Sequence, residues 1–253
     1  MNKNNILFAL ISLIIGFFIG FLMANALGRR ERDMARVEFP PQETQGARQQ
    51  PAASQNQSSE SDSGAPTEAE IRDAIARADE RAADTNLQLN FGTALYRYAS
   101  DSGQAQYLPD IARMLKRAYD ANPQDHDLTL LLANVLFDIG QTTDRTRFRE
   151  ARTLYTKALQ MKSDDVNART DLGLSYYLDD PSDPARAVAE YRKSLAINPR
   201  HEQTLQNLAT ALISMHKLDE AQQRIDELAN INPQNPALPN LRAQLAQARN
   251  GAP

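Results

Sequence analysis

The feature that most limits the fold of this chain is a unit of two amphipathic segments that recurs along the sequence. The clearest copy spans residues 166–201, with the small residue Gly173 on the apolar side of its first segment and Tyr191 on that of its second. In both segments the apolar residues form a stripe that follows the 3.6-residue period of an α-helix. The turn-rich stretch 179–184 separates the two segments, and Pro199 ends the unit because proline cannot continue a helix. One helix pair cannot bury both stripes, so the sequence predicts several such pairs packed side by side.

Further copies lie on both sides of this unit. Pro199 and Pro233 are 34 residues apart, and Asn122-Pro123 ends an earlier copy in the same way. In the copy between Pro123 and Pro199, Ser163 stands where the proline is expected. A small residue recurs at the same place of each first segment, at Gly92, Ala133, Gly173 and Ala209. Small residues allow two helices to approach closely, so each pair is predicted to be a tight hairpin.

A period near 34 with small and large residues alternating on paired helices is typical of tetratricopeptide repeats (TPRs). The chain resembles that family over residues 85–235, and the best copy matches the family motif at Leu172, Gly173, Tyr176, Ala187, Tyr191 and Pro199. It departs from the family in having no tryptophan and in carrying extra turn residues at 100–106, 141–147 and 179–184. The resemblance implies an all-α fold, an α-solenoid of about four TPR helix pairs. These pairs are expected at residues 85–125, 126–165, 166–201 and 202–235.

Capping helices are predicted at both ends of the repeats. Thr67 and Glu70 form a capping-box pattern that starts a helix, and an N-terminal capping helix is expected within 67–84. A last amphipathic segment with a polar outer face gives a C-terminal capping helix and tail at 236–253. Such helices cover the open ends of a repeat stack.

Residues 6–27 form an apolar run without charged side chains, preceded by a five-residue tail at 1–5. A helix of this length spans about 33 Å, enough to cross a hydrocarbon core of roughly 30 Å. We therefore predict one transmembrane anchor. Gly16 and Gly20 have the spacing of small residues through which membrane helices associate, so self-association at this segment is possible.

A cleaved signal peptide is the competing interpretation of the same run. Ala24-Asn25-Ala26 resembles a cleavage site, but the apolar run exceeds the usual 7–15 residues of a signal peptide. Cleavage after Ala26 would release a soluble periplasmic TPR protein that binds peptide or glycan.

The side of the membrane that the repeats face also has two interpretations. Lys/Arg bias favours a cytoplasmic domain, and the basic residues that follow the anchor are Arg29, Arg30, Arg32 and Arg36. Many bacterial repeat proteins with a single anchor face outward instead, and the family resemblance favours that side. Either way, the expected location is the cytoplasmic (inner) membrane of a bacterial-type cell, with one pass. The segment 28–66 continues as a basic juxtamembrane stretch and a Pro/Gln/Ser-rich linker, which is predicted to be disordered.

Composition and motifs exclude several classes of function. A formal net charge of −4 without a basic face argues against a nucleic-acid partner, and the absence of cysteine excludes thiolate chemistry. His126 and His201 stand beside turn signals, where solvated side chains are expected, and the acidic group around Asp179 is interpreted as a solvated turn. The sequence contains no phosphate-binding loop and no catalytic constellation. We therefore expect no enzymatic activity, cofactor, metal or small-molecule substrate.

The family resemblance implies that the first helix of each pair lines a concave groove that binds a protein or peptide. The register places ten candidate binding residues there, expected to be exposed: Tyr96, Arg97, Asn134, Phe137, Asp138, Thr170, Tyr177, Gln206, Thr210 and Ile213. Only Asn134 coincides with the positions by which the chaperone-binding members hold a C-terminal carboxylate. The predicted function is that of a membrane-tethered scaffold or adaptor. Its layout is similar to the TPR modules of bacterial cytochrome c maturation and other envelope assembly factors.

Overall fold

A computed structural model of the chain describes residues 66–251. The predicted tail, the anchor at 6–27 with Gly16 and Gly20, the arginines that follow, cleavage after Ala26 and nearly all of the linker lie outside the described residues. Among the helices within 66–251, none combines the length and apolar character needed to cross a membrane.

The described residues form ten α-helices and one short 3₁₀ turn, Ala105–Tyr107, and include no β-strand. The all-α prediction is confirmed. The helices are α1 Glu68–Glu80, α2 Thr85–Ser102, α3 Leu108–Ala121, α4 His126–Thr142, α5 Arg147–Met161, α6 Val166–Leu178, α7 Pro184–Ile197, α8 Glu202–Ser214, α9 Leu218–Ile231 and α10 Leu238–Asn250.

The helices pack in chain order as a row of hairpins. Four hairpins, α2–α3, α4–α5, α6–α7 and α8–α9, each pack against the next. The first helices of neighbouring hairpins also touch, α4 with α6 and α6 with α8. At the ends, α1 packs on α2 and α3, and α10 packs on α8 and α9. This is the solenoid arrangement with capping helices that the repeated pattern predicts.

Local sequence fixes where many of these helices begin. Aspartates directly precede α2, α4, α6 and α7, and each accepts a hydrogen bond from the backbone N–H three residues on; these are Asp84, Asp125, Asp165 and Asp183. Such a cap stabilises a helix by about 1 kcal/mol because it satisfies an otherwise unpaired donor. At the start of α1, Glu70 N–H donates to Thr67 Oγ1 at 3.3 Å, and Thr67 N–H donates to Glu70 Oε2 at 2.8 Å. The predicted capping box is present.

The small residues of the first helices mark the closest approach within each hairpin. A Cβ atom added at Gly173 would lie 2.7 Å from Tyr191 Cε1 and 3.2 Å from the carbonyl oxygen of Ala187. One added at Gly92 would lie 3.0 Å from Leu115 Cδ2. These glycines therefore face the second helix of their own hairpin, which fixes the rotation of α2 and α6.

The core divides into two clusters that meet at the third hairpin. One runs from α1 to α6 and the other from α7 to α10, and Tyr176 and Tyr177 pack against both. The junction of the third and fourth hairpins is polar. There the Thr170 hydroxyl lies 2.9 Å from Ser194 Oγ and 2.7 Å from Thr204 Oγ1, all of them buried.

His201 joins this polar junction. Its Nδ1 lies 2.6 Å from Thr204 Oγ1, and the residue is only 6% exposed. The expectation of a solvated His201 is wrong, because packing of α8 against α7 carries the turn residue into the interface between hairpins. Asp179 likewise belongs to an ion pair, with its Oδ2 2.7 Å from Arg152 Nη2.

Candidate functional site

The candidate site is the side of α2, α4, α6 and α8 that faces away from the second helices. We call this surface the groove. Gly92 and Gly173 contact the second helices, and Ala133 and Ala209 hold the corresponding places in α4 and α8. Residues three positions before these four, and one, four or five positions after them, lie about 40–140° around the helix to one side, and therefore line one face that runs across all four hairpins.

Tyrosine hydroxyls form hydrogen bonds between neighbouring first helices at two of the junctions between hairpins. Tyr96 donates to Asp138 Oδ2 at 2.6 Å, which joins α2 to α4. Tyr177 is hydrogen bonded with Ser214, which joins α6 to α8. Burial raises the pKa of Tyr177, and the Ser214 hydrogen bond offsets only part of that rise. Each tyrosine lies four residues after the glycine of its helix. The same position of the repeat therefore forms a hydrogen bond between first helices at both junctions.

Phe137 holds the same register position in α4 but is fully buried. Its ring lies 5.3 Å from that of Phe148 and 6.3 Å from that of Tyr155, edge-on in both cases. The expectation that Phe137 is exposed in the groove is wrong. A residue four positions after the small residue is turned only about 40° from the hairpin interface. Phe148 and Tyr155 of α5 are large enough to enclose it.

Two further candidates are buried. Thr170 is 1% exposed within the polar junction, and Ile213 is 8% exposed in the second core cluster. Their predicted exposure is also wrong. The register gives a direction for each side chain, whereas the neighbouring hairpin decides whether that direction leads to solvent.

The remaining candidates are partly or fully exposed, and partner binding at them stays a prediction. Arg97 is exposed at the α2 end of the groove. Asn134 Oδ1 accepts a hydrogen bond from the Tyr155 hydroxyl at 2.8 Å, and Gln206 Nε2 donates to Asn235 Oδ1 at 3.1 Å. Thr210 Oγ1 donates to the carbonyl oxygen of Gln206 at 3.1 Å.

Sequence reasoning missed the leucines of the groove. Leu89 and Leu130 each lie three residues before the small residue of their helix, and Leu131 lies beside Leu130. All three are partly exposed at the edge of the first core cluster. Their register was available from the sequence, but they were not among the predicted binding residues. The groove is therefore apolar at the first two hairpins, while Gln206 and Asn207 bring amides to the fourth.

The charged residues that the register places on the groove are mostly acidic. They are Arg97, Asp127, Asp138 and Asp171, of which Asp171 is buried. Within residues 66–251, no cluster of histidine and acidic side chains has an arrangement that could hold a metal ion. What the surface offers is a mixture of leucine, tyrosine, amide and carboxylate groups. Such a surface suits recognition of a polypeptide.

These features define the class first: an α-solenoid of helix hairpins whose first helices share one face. Residues 180–245 match the family model described as tetratricopeptide repeat. This match confirms the predicted repeat family over residues 180–245. A comparison with curated protein sequences gives no match.

Solved TPR structures share the fold. MamA is 18% identical and superimposes with a TM-score of 0.51, covering 65% of this chain and 87% of MamA. YrrB, described as a TPR protein with an unusual peptide-binding site, is 14% identical with a TM-score of 0.53, covering 72% of this chain and 84% of YrrB. A TPR protein from Parabacteroides merdae ATCC 43184 is 19% identical with a TM-score of 0.51, covering 70% of this chain and 61% of that protein.

Proposed function

We propose that the chain is a membrane-tethered scaffold that binds a protein or peptide partner in the groove. The observation that carries this proposal is the continuous row of partly exposed leucine, tyrosine and amide side chains on the first helices. A partner segment laid along it would bury the leucines, and the amides would bond its backbone. The peptide-binding site described for YrrB supports this use of the fold.

The leucines supply the apolar part of the site. Leu89 and Leu130 occupy equivalent places in neighbouring hairpins, so together they present an apolar strip beside the hydrogen-bonded pair Tyr96–Asp138. Burial of such side chains contributes about 25 cal/mol per Å² of apolar surface removed from water. A few anchors of this kind, surrounded by polar contacts, carry most of the affinity of a typical interface.

The proposed tether comprises the apolar run at 6–27 and the linker at 28–66. Its length and lack of charge support a single membrane pass, and the four arginines that follow favour a cytoplasmic repeat domain. With this layout the protein would assemble partners at the cytoplasmic face of the membrane. A role similar to the TPR module of cytochrome c maturation would instead go with a repeat domain that faces outward. The chain offers no group to which we assign a catalytic role.

Matched substitutions test the groove. The full-length protein in detergent would be screened against an array of capped random twelve-residue peptides, and the tightest binder would be kept as the probe. Tyr177→Ala should weaken its binding about tenfold or more. Tyr119→Ala is the control, because Tyr119 contacts Lys157 between α3 and α5, on the other side of the hairpins.

A second pair tests the same surface by charge. Arg97→Glu in the groove should change the affinity for the probe, whereas Arg149→Glu on the exposed side of α5 should not. Equal effects of the groove variants and of their controls would refute binding in the groove. A wild-type protein that binds no peptide on the array would refute the proposed function as a whole.

Protease digestion of intact and opened spheroplasts tests the tether. Protection of the repeat domain until the membrane is opened would support a cytoplasmic domain, and digestion in intact spheroplasts would place it outside. A mature protein that begins at Leu27 would refute the anchor and establish the released periplasmic form.

A further inference from the structure

A cleft opens between the second helices α7 and α9, with α8 beneath it, on the side of the hairpins away from the groove. Its volume is about 290 Å³. It is lined by four apolar and three charged residues, Leu195, Ala196, Leu208 and Leu212, with Arg192, Glu220 and Arg224. Leu208 and Leu212 are buried, whereas Arg192 and Ala196 are exposed. The cleft therefore has an apolar floor and a charged mouth that is open to solvent.

The third hairpin shows what fills the equivalent space. Leu212 holds the same place in its repeat as Tyr176, three positions after the small residue of the first helix. The Tyr176 ring lies between α5 and α7, with the guanidinium carbons of Arg152 and Arg186 at 4.9 Å and 5.6 Å from its centroid. Leucine is shorter than tyrosine, so Leu212 leaves open the space that a ring occupies one hairpin earlier.

The arginines at the mouth of the cleft are in the same state as those around Tyr176. Arg152 and Arg186 are each paired with an aspartate while they contact the ring. At the cleft, Arg192 Nη2 lies 2.5 Å from Glu220 Oε2, and Arg224 pairs with a glutamate one turn further along α9. Because both guanidinium charges are already neutralised, an anionic ligand would gain little here. An aromatic ring can contact the face of a guanidinium without breaking its ion pair.

The size of the cleft also suits a single ring. An apolar cavity of about 150 Å³ is enough to bind benzene, and this cleft is larger. Residues 66–251 offer no protruding ring to fill it, since every phenylalanine and tyrosine among them is at least partly buried. We propose that the cleft receives a phenylalanine or tyrosine side chain of a partner polypeptide, packed on Leu212 beside Arg192 and Arg224. This second contact is separate from the groove and does not depend on the function proposed for it.

The first test needs no ligand. Leu212→Tyr places in the cleft the ring that the third hairpin carries, so the full-length protein should melt about 2–4 °C higher. Leu228→Tyr is the matched control, because Leu228 is fully buried in α9 and does not line the cleft. There the same substitution overpacks the core and should lower the melting temperature. A lower melting temperature for Leu212→Tyr would overturn the proposal, since the cleft could then not accept a ring.

The second test uses two blocked pentapeptides, Gly-Ser-Phe-Ser-Gly and its counterpart with leucine in the centre. Methyl NMR of the full-length protein in lipid nanodiscs would follow the Leu195 signals. The phenylalanine peptide should shift them with a dissociation constant of about 1 mM, and the leucine peptide should bind about three- to tenfold more weakly. Leu212→Tyr should abolish the shifts, whereas Arg149→Glu on α5 should leave them unchanged.

Three results would overturn the proposal. They are the absence of shifts at Leu195 with the phenylalanine peptide, equal binding of the two peptides, and shifts that persist in Leu212→Tyr. The groove is decided separately, because Leu212→Tyr should leave binding of the array peptide described above unchanged. Failure of the array peptide to bind the wild type would refute the groove function and leave the cleft to be judged by its own peptides.

Discussion

Gly173→Ala probes the closest contact within a hairpin. The added Cβ would lie 2.7 Å from Tyr191 Cε1, 2.9 Å from Tyr191 Cδ1 and 3.2 Å from the carbonyl oxygen of Ala187. Tyr191 is fully buried, so its ring cannot swing aside, and the obstructing oxygen belongs to the backbone. Overpacking of this kind costs about 1–3 kcal/mol, with this site near the upper end.

Two contributions oppose each other in this variant. Alanine is favoured over glycine in a helix interior by about 1 kcal/mol, so the net loss of stability should be about 2 kcal/mol. Gly92→Ala is the matched control, because its Cβ would meet the flexible end of Leu115 at 3.0 Å. There the helix-propensity gain should cancel most of the contact cost.

Urea unfolding followed by circular dichroism would measure both variants, with hydrogen exchange of α6 and α7 to locate the change. Tyr191→Leu should remove most of the penalty of Gly173→Ala in a double-mutant cycle, because leucine leaves the space that the ring occupied. A neutral or stabilising Gly173→Ala would refute the reasoning. It would show that α6 and α7 can separate as far as α4 and α5, where Ala133 holds the corresponding position.

Three further predictions concern the core, acid stability and the polar junction. Phe137→Ala should lower the free energy of unfolding by about 3–5 kcal/mol in denaturant titrations, because it leaves a cavity between α4 and α5; a change below 1 kcal/mol would contradict its burial. Asp79 has a lowered pKa: burial favours the neutral form, but hydrogen bonds and charges from Arg117 and Arg113 outweigh it. Its stabilising contribution is therefore present above the ordinary aspartate pKa of about 4 and is lost as the pH falls through the lower folded value. Exchange of α1 amides should accelerate over that window, and Asp79→Asn should remove the dependence. Thr204→Val should cost about 1–3 kcal/mol in thermal melts, because it leaves the buried Thr170 hydroxyl and His201 ring with one partner fewer; an unchanged melting temperature would contradict the bonds.

Much of the fold followed from local signals in the sequence. Paired apolar stripes and the 34-residue spacing predicted helix hairpins, and the capping box at Thr67 predicted the start of α1. These predictions succeeded because each depends on a few residues close in the chain. Helical periodicity and cap chemistry do not require knowledge of what packs against the helix.

The candidate site was predicted less well. The register correctly gave the direction of each side chain around its helix, but Phe137, Thr170 and Ile213 proved to be buried. Phe137 and Tyr177 occupy the same position of the repeat, yet Phe137 is buried and Tyr177 is partly exposed. Residue type and register alone therefore cannot distinguish a buried from an exposed side chain. Exposure depends on the size of the side chains that the opposite helix and the next hairpin bring to that point.

The sequence by itself determined the repeat pattern, the helix hairpins and the register of their first helices. Tertiary structure alone decided which residues of the groove are accessible, where the two core clusters meet and that both polar atoms of Asn207 are buried without partners. The reason is physical: helix formation and capping are set by neighbours in sequence, whereas burial and hydrogen-bond satisfaction are set by groups more than twenty residues away. Those distant groups meet only when the hairpins stack.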